Sequence, residues 1–149
     1  MTEPSEPTDP ADLARACADV MWASDRASQS LGMVLETVTP GCARLSMTVR
    51  PDMVNGHDLC HGGLIASLAD SAFAFACNSR GTVTVAAGFD VVLLEPARVG
   101  DRLVADAREV ALRGRSGVYD VTVRCGEKVV AEFRGRSRSL GRPVLEEER

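Results

Sequence analysis

The chain has 149 residues, 45% hydrophobic and 26% charged, an ordinary composition for one globular domain with a real core. Its formal net charge of −4 argues against a generic nucleic-acid binder. The longest apolar run, residues 62–77, is too short to cross a bilayer and carries Asp70 at its middle, so this does not read as a membrane protein.

Residues 1–10 combine three prolines with Glu3, Glu6 and Asp9 and read as a disordered leader. They contain neither a basic region nor an apolar run, so no signal peptide is visible. The five cysteines (Cys17, Cys42, Cys60, Cys77, Cys125) are an odd set without a Cys-x-x-Cys pair. Free thiols in a reducing cytoplasm are the economical reading. Thr8 or Asp9 with Pro10 offers a helix start, and residues 11–30 carry Leu13, Ala16, Cys17, Val20 and Met21 at helical spacing. An N-terminal helix is therefore expected there, with its end left open. Residues 32–39 and 43–49 read as a hairpin turned at Pro40-Gly41, with Leu45, Met47 and Val49 alternating against Arg44, Ser46 and Thr48.

Residues 51–60 form an irregular loop, and a helix follows over 62–78, closed by Gly81. Four strands are expected beyond it, at about 83–94, 102–112, 117–125 and 128–139, broken by Pro96, Gly100, Gly114 and Gly126. Residues 11–141 thus make a single α+β domain, and 142–149, with Glu146, Glu147 and Glu148, a flexible acidic tail. The helix over 62–78 is apolar nearly all round. Only Ser67, Asp70, Ser71 and Asn78 are polar beyond its start, and they share one narrow stripe. Such a helix is buried inside its domain, so a curved antiparallel sheet of about six strands must wrap it.

The chemistry concentrates between Asn55 and Asp70. In a solvated stripe an aspartate needs no explanation. In a helix this apolar an isolated charge is expensive, and Asp is a poor helix former, which makes Asp70 a candidate base or nucleophile. Gly62 and Gly63 cost helix stability at the first turn, while main-chain N–H groups at a helix start attract developing negative charge. Gly62 and Asp70 lie eight residues apart, about 12 Å along an α-helix. A reacting carbonyl must sit ~3 Å from both its donor and its attacking group. If both act on one carbon, Asp70 must come from a second copy, which predicts a two-fold dimer with two shared sites.

His57, Asp58, Cys60, His61 and Cys77 raise the question of a metal, but no His-Glu-x-x-His and no second paired cluster is present. Cys60 beside His61 is a weak thiol-nucleophile motif, because sequence neighbours seldom have the geometry of a Cys–His pair. Between Arg98 and Arg138 the chain has ten Arg or Lys against six Asp or Glu. That basic surface reads either as a solvated sheet face or as a site for a phosphorylated ligand.

These residues resemble a known family. Asn55-Gly56-His57, Cys60-His61-Gly62-Gly63, the run Ser67 to Ala74, Cys77-Asn78-Ser79, Gly117-Val118-Tyr119-Asp120 and Phe133-Arg134-Gly135-Arg136-Ser137 are similar to the phenylacetate-pathway acyl-CoA thioesterases of the hotdog superfamily, the PaaI type. The resemblance covers roughly residues 13–141. It implies the hotdog fold, no cofactor, and dimers that commonly pair into tetramers. Position by position, it implies that Asp70 attacks the thioester or activates water, and that the Gly62 N–H polarises the carbonyl. His61 and Asn55 would orient the loop, the water or the leaving thiolate. Gly63 and the arginines Arg113, Arg115 and Arg136 are the expected substrate contacts, the arginines meeting the CoA phosphates.

Two departures stand out: Glu95 precedes Pro96 where the family often has a base, and Leu64, Ile65 and Ala66 are aliphatic for an arylacetyl pocket. The expected activity is hydrolysis of an aryl- or arylacetyl-CoA to the free acid and CoA. The alternatives are a non-catalytic acyl-CoA binding module and a hotdog enoyl-CoA hydratase or dehydratase.

Overall fold

The structure is a computed structural model that describes residues 9–146. Most of the expected leader and the last three residues of the acidic tail lie outside the described residues. Helix α1 spans Pro10–Ser24 and starts as its sequence asks: Pro10 takes the first helical position, and the Asp9 carboxylate accepts the N–H groups of Ala11 and Asp12 at 2.8 and 3.2 Å. The end of this helix, which the spacing leaves open, falls at Ser24. Asp25 leaves the helical conformation at ψ 80°, closes α1 through its N–H to the Trp22 carbonyl, and caps a second short helix, α2, over Arg26–Ser30. Its side chain accepts from the Ser28 N–H at 3.0 Å, so the chain turns instead of continuing.

Strands β1 (Val34–Thr39) and β2 (Cys42–Thr48) form the hairpin, with Gly41 at φ +76° in the turn. A single 3-10 turn at Pro51–Met53 and the loop to Cys60 lead into α3, Gly62–Asn78. Then follow β3 (Thr82–Leu93), β4 (Arg102–Arg113), β5 (Ser116–Cys125) and β6 (Lys128–Pro143). All six strands join one antiparallel sheet in the order β1-β2-β4-β5-β6-β3.

The sheet wraps α3 on one face. A single register row, Leu45–Ala105–Val123–Ala131–Leu93, crosses five strands beneath the helix. Its first four members are fully buried. Two of these are alanines, which lets the helix sit close to the strands, where Leu68, Ala69 and Ala72 meet them without exposure. Phe73 is tilted against both Tyr119 and Phe133, with ring centroids 5.6 and 5.8 Å apart. Asn78 locks the end of α3: its amide nitrogen donates to the carbonyls of Ala74 and Thr84, and its oxygen accepts the Thr84 N–H at 2.8 Å. The outer face of the sheet carries cross-strand ion pairs, Arg44–Asp106 and Arg134–Asp120 at 2.6 Å and Arg102–Glu36 at 2.9 Å. Such exposed pairs add little stability but keep that face polar.

The opposite holds at the edge. Strand β3 pairs only with β6, runs for twelve residues, and leaves Val85, Phe89, Val92 and Leu93 between 41% and 56% exposed. A long apolar edge strand is normally covered.

Candidate active site

Asn55 organises the loop before α3. Its side-chain oxygen accepts the N–H groups of His57 and Leu59 at 2.9 and 3.2 Å, while its own N–H donates to the Leu59 carbonyl at 2.8 Å. Asp58 sits at φ +58°, a left-handed conformation that Asp tolerates better than most residues. The Cys60 N–H then bonds the Ala97 carbonyl and the His61 N–H the Met53 carbonyl, so the loop reaches α3 in a fixed path.

His61 takes the N-cap position but its side chain makes no capping bond and is exposed. Gly62 and Gly63 are the first helical residues, whose N–H groups have no acceptor within a helix. The helix start is therefore open and electropositive. The two glycines differ in why they are there. A methyl group on Gly62 would run into the Leu93 side chain of β3, whereas one on Gly63 would meet nothing. A side chain at Gly62 would have to push aside the tip of Leu93, itself half exposed, and one at Gly63 nothing within this chain.

Asp70 is half-buried, two turns further along α3. No side chain or main-chain group of the described residues hydrogen-bonds its carboxylate. Burial, and then the charge of Asp25, push its carboxyl above the ordinary aspartate value. It opens into a recess of roughly 390 Å³ walled by Met21 of α1, Phe73, Ala74 and Cys77 of α3, and the start of β3. The Cys77 thiol in the same wall is pushed up to about 12 by burial, so it stays protonated. Cys60 is 6% exposed and its thiol is also raised by burial, which leaves neither cysteine as a nucleophile. Among the described residues no group of three His, Cys, Asp or Glu could hold a metal.

The remaining candidates are spread out. Ile65 is in the core at 3% exposure, and only Leu64 and Ala66 are partly accessible. Arg113 and Arg136 come together with Arg138 around Ala87, Ala111 and Val118 in a separate shallow recess. Arg136 is paired with Asp90 at 2.9 Å there, both side chains exposed. Arg115 lies in the β4–β5 turn beside Gly141 and does not line that recess. Sequence reasoning did not reach Met21, Asp25 or Arg138. The one available signal for Asp25 was its capping spacing to Ser28, hidden within an otherwise helical pattern.

A sheet wrapped around one helix, with a carboxylate inside that helix and an uncapped glycine pair at its start, is the hotdog arrangement of hydrolytic enzymes. The thioesterase superfamily model matches residues 57–132. The chain belongs to this family, on its PaaI branch. It is 40% identical over 131 residues to the acyl-coenzyme A thioesterase PaaI of Escherichia coli strain K12, covering 87% of this chain and 94% of that protein. The structure of the E. coli PaaI protein from the phenylacetic acid degradation operon superposes with a TM-score of 0.88 at 38% identity, over 91% of this chain and 99% of that one. The human acyl-coenzyme A thioesterase 13 is 29% identical over 107 residues, 68% of this chain and 76% of its own length.

Proposed function

We propose that this enzyme hydrolyses acyl-CoA thioesters, with aryl or arylacetyl groups favoured, to the free acid and CoA. Asp70 acts as base or nucleophile, and the Gly62 N–H polarises the thioester carbonyl. The observation that carries the reading is the pairing of two unused groups on α3, the uncapped helix start and the unbonded Asp70 carboxylate. A preorganised N–H aimed at a developing oxyanion contributes several kcal/mol to the transition state. His61 and the loop held by Asn55 orient the water or the leaving thiolate.

Eight residues of helix separate the two groups by about 12 Å, too far to serve one carbon. The site is therefore built from two copies, Asp70 of one chain facing Gly62 of the other. The uncovered β3 edge supports this, since a second β3 beside it extends the sheet and covers Val85 and Phe89. Pairs of such dimers give the tetramer common in the family. The CoA phosphates meet arginines of the basic outer surface, Arg113 and Arg136 first and Arg115 from the neighbouring turn. Gly63, with open space at its Cα, leaves room for the thioester. An odd number of cysteines without a Cys-x-x-Cys pair fits a cytoplasmic enzyme.

Free-thiol release measured across benzoyl-, phenylacetyl- and fatty acyl-CoA esters tests the reading. Asp70→Asn should lower kcat by at least about a hundredfold with the assembly intact. Binding of these esters without thiol release would turn the reading to a non-catalytic acyl-CoA module. Loss or gain of enoyl-thioester absorbance without thiol would turn it to a hydratase.

A further inference from the structure

Asp25 lies far from Asp70 in sequence, yet a short chain of hydrogen bonds joins it to Ser71, the next residue along α3. The Asp25 carboxylate accepts the Ser28 N–H at 3.0 Å and the Ser28 hydroxyl at 2.7 Å. The Ser28 oxygen in turn lies 2.8 Å from the hydroxyl of Ser71, the residue that follows Asp70 on α3. A carboxylate only accepts, so Ser28 spends its single proton on Asp25. Ser71 must then be the donor to Ser28. The chain runs one way, Ser71 to Ser28 to Asp25, and it is shielded, since Ser28 is 2% exposed. One turn before Asp25, Met21 walls the recess into which Asp70 opens. The end of α1 thus borders the recess, although it lies outside residues 57–132 that match the family.

We propose that Asp25 is a positioning residue for the hydrolysis: it anchors the turn of α3 that carries Asp70 and faces that carboxylate with a second, fixed negative charge. The inference rests on the reading of Asp70 as base or nucleophile. Burial is the larger reason why Asp70 holds its proton more tightly than an ordinary aspartate, and the Asp25 charge is the second. The other titratable group at the recess is the Cys77 thiol, which is neutral. The parts of β3 that line it, Val83 to Ala86, and Val144 beyond β6 carry no charge, and no cation of the described residues is paired with Asp70. A more basic carboxylate abstracts a proton from water more effectively, and the direction of the Asp25 effect is towards that.

A purely structural role for Asp25 makes a different forecast. Asn caps a helix about as well as Asp and still accepts from Ser28. If capping is all that Asp25 does, Asp25→Asn is silent. If its charge acts on Asp70, the acid limb of the kcat/KM profile moves to lower pH in Asp25→Asn. kcat then falls by up to about tenfold with KM little changed. Carbon-13 titration of the aspartate carboxyls in the full chain reads the same pair without turnover, and the Asp70 resonance should titrate at lower pH in the variant. Asp25→Ser, also a capping residue and also neutral, is the second variant should Asn fold poorly. Wild-type pH profiles and an unmoved Asp70 titration in the neutral variants would overturn the inference. Normal thiol release from Asp70→Asn would instead overturn the reading of the site, while the carboxyl titration would still report whether Asp25 and Asp70 interact.

Discussion

Phe73 of α3 presses its ring against the backbone of Gly135 in β6, so closely that a Cβ at 135 would stand 2.8 Å from the ring's Cζ. The ring cannot give way, because Tyr119 and Phe133 hold it from two sides and Phe89 stacks behind Phe133 at 4.7 Å. Gly135→Ala should therefore cost about 1–3 kcal/mol of stability, read as a lower denaturant midpoint with an unchanged slope. Phe73 also walls the recess beside Asp70, so the same variant should lose turnover below its unfolding range. A fully stable Gly135→Ala would show that the ring has room that this packing denies it.

Asp70 should make the enzyme less stable than it could be. Its carboxyl binds a proton more tightly in the folded chain than an ordinary aspartate does, chiefly because burial disfavours the charge. The stability of such a group is fully present below the unfolded value, about 3.9, and is lost as pH rises through the folded value. At pH 7 Asp70→Asn should thus melt at a higher temperature than the wild type. The gap should close as the pH is brought down towards 4. Equal melting temperatures at both ends would mean that Asp70 is as well solvated as a surface aspartate.

The proposed sharing of sites between two copies allows a complementation test. Asp70→Asn damages one half of each site, and Asn55→Ala, which removes the acceptor for the His57 and Leu59 N–H groups, damages the other. When the two inactive proteins are unfolded together and refolded, half of the dimers are hybrids. Each hybrid then has one wild-type site, so activity should return to about a quarter of the wild-type level. No recovery, with hybrids confirmed by mass, would place Gly62 and Asp70 of one chain at the same substrate.

The thiols should prove dispensable. Cys42 is exposed, whereas Cys60 and Cys77 are buried and held protonated. Iodoacetamide should label Cys42 first in the native protein without loss of thiol release from substrate, and Cys77→Ala should keep most of the wild-type kcat. Inactivation that tracks labelling of Cys60 would revive a thiolate mechanism.

Much of this architecture could be read from local pattern. Leu45, Met47 and Val49 alternate as a half-buried strand must, Pro40-Gly41 supplies the turn, and the apolar run after Gly62 has no polar face wide enough for a surface helix. The Gly62–Asp70 separation likewise follows from helix rise alone. What escaped was long-range. The break at Asp25 follows a segment whose apolar spacing is helical as far as Met21, and the contact of Ser28 with Ser71, 43 residues later, pins the turn that Asp25 caps. Strand β6 runs past residue 139 to Pro143 because β3 goes on pairing with it, Thr84 opposite Ser139 and Thr82 opposite Pro143, partners that its arginine- and serine-rich sequence does not announce. The arginines are hardest of all to read. Arg134 and Arg44 are spent on cross-strand aspartates, while Arg113 and Arg138 are not, and nothing in their spacing distinguishes them.

The bare β3 edge has a consequence for the life of the polypeptide as well as for its chemistry. On the proposed assembly, a newly made chain that has folded but not yet met another presents the outer edge of a twelve-residue strand, with Val85 and Phe89 beside it, to anything in its surroundings. Strands of that kind recruit other strands indiscriminately, and aggregation competes with assembly until the edge is closed. On the proposed assembly, low expression or high dilution therefore does more than leave the sites incomplete. It prolongs the interval in which the protein is sticky, so the abundance of the chain protects its own quality.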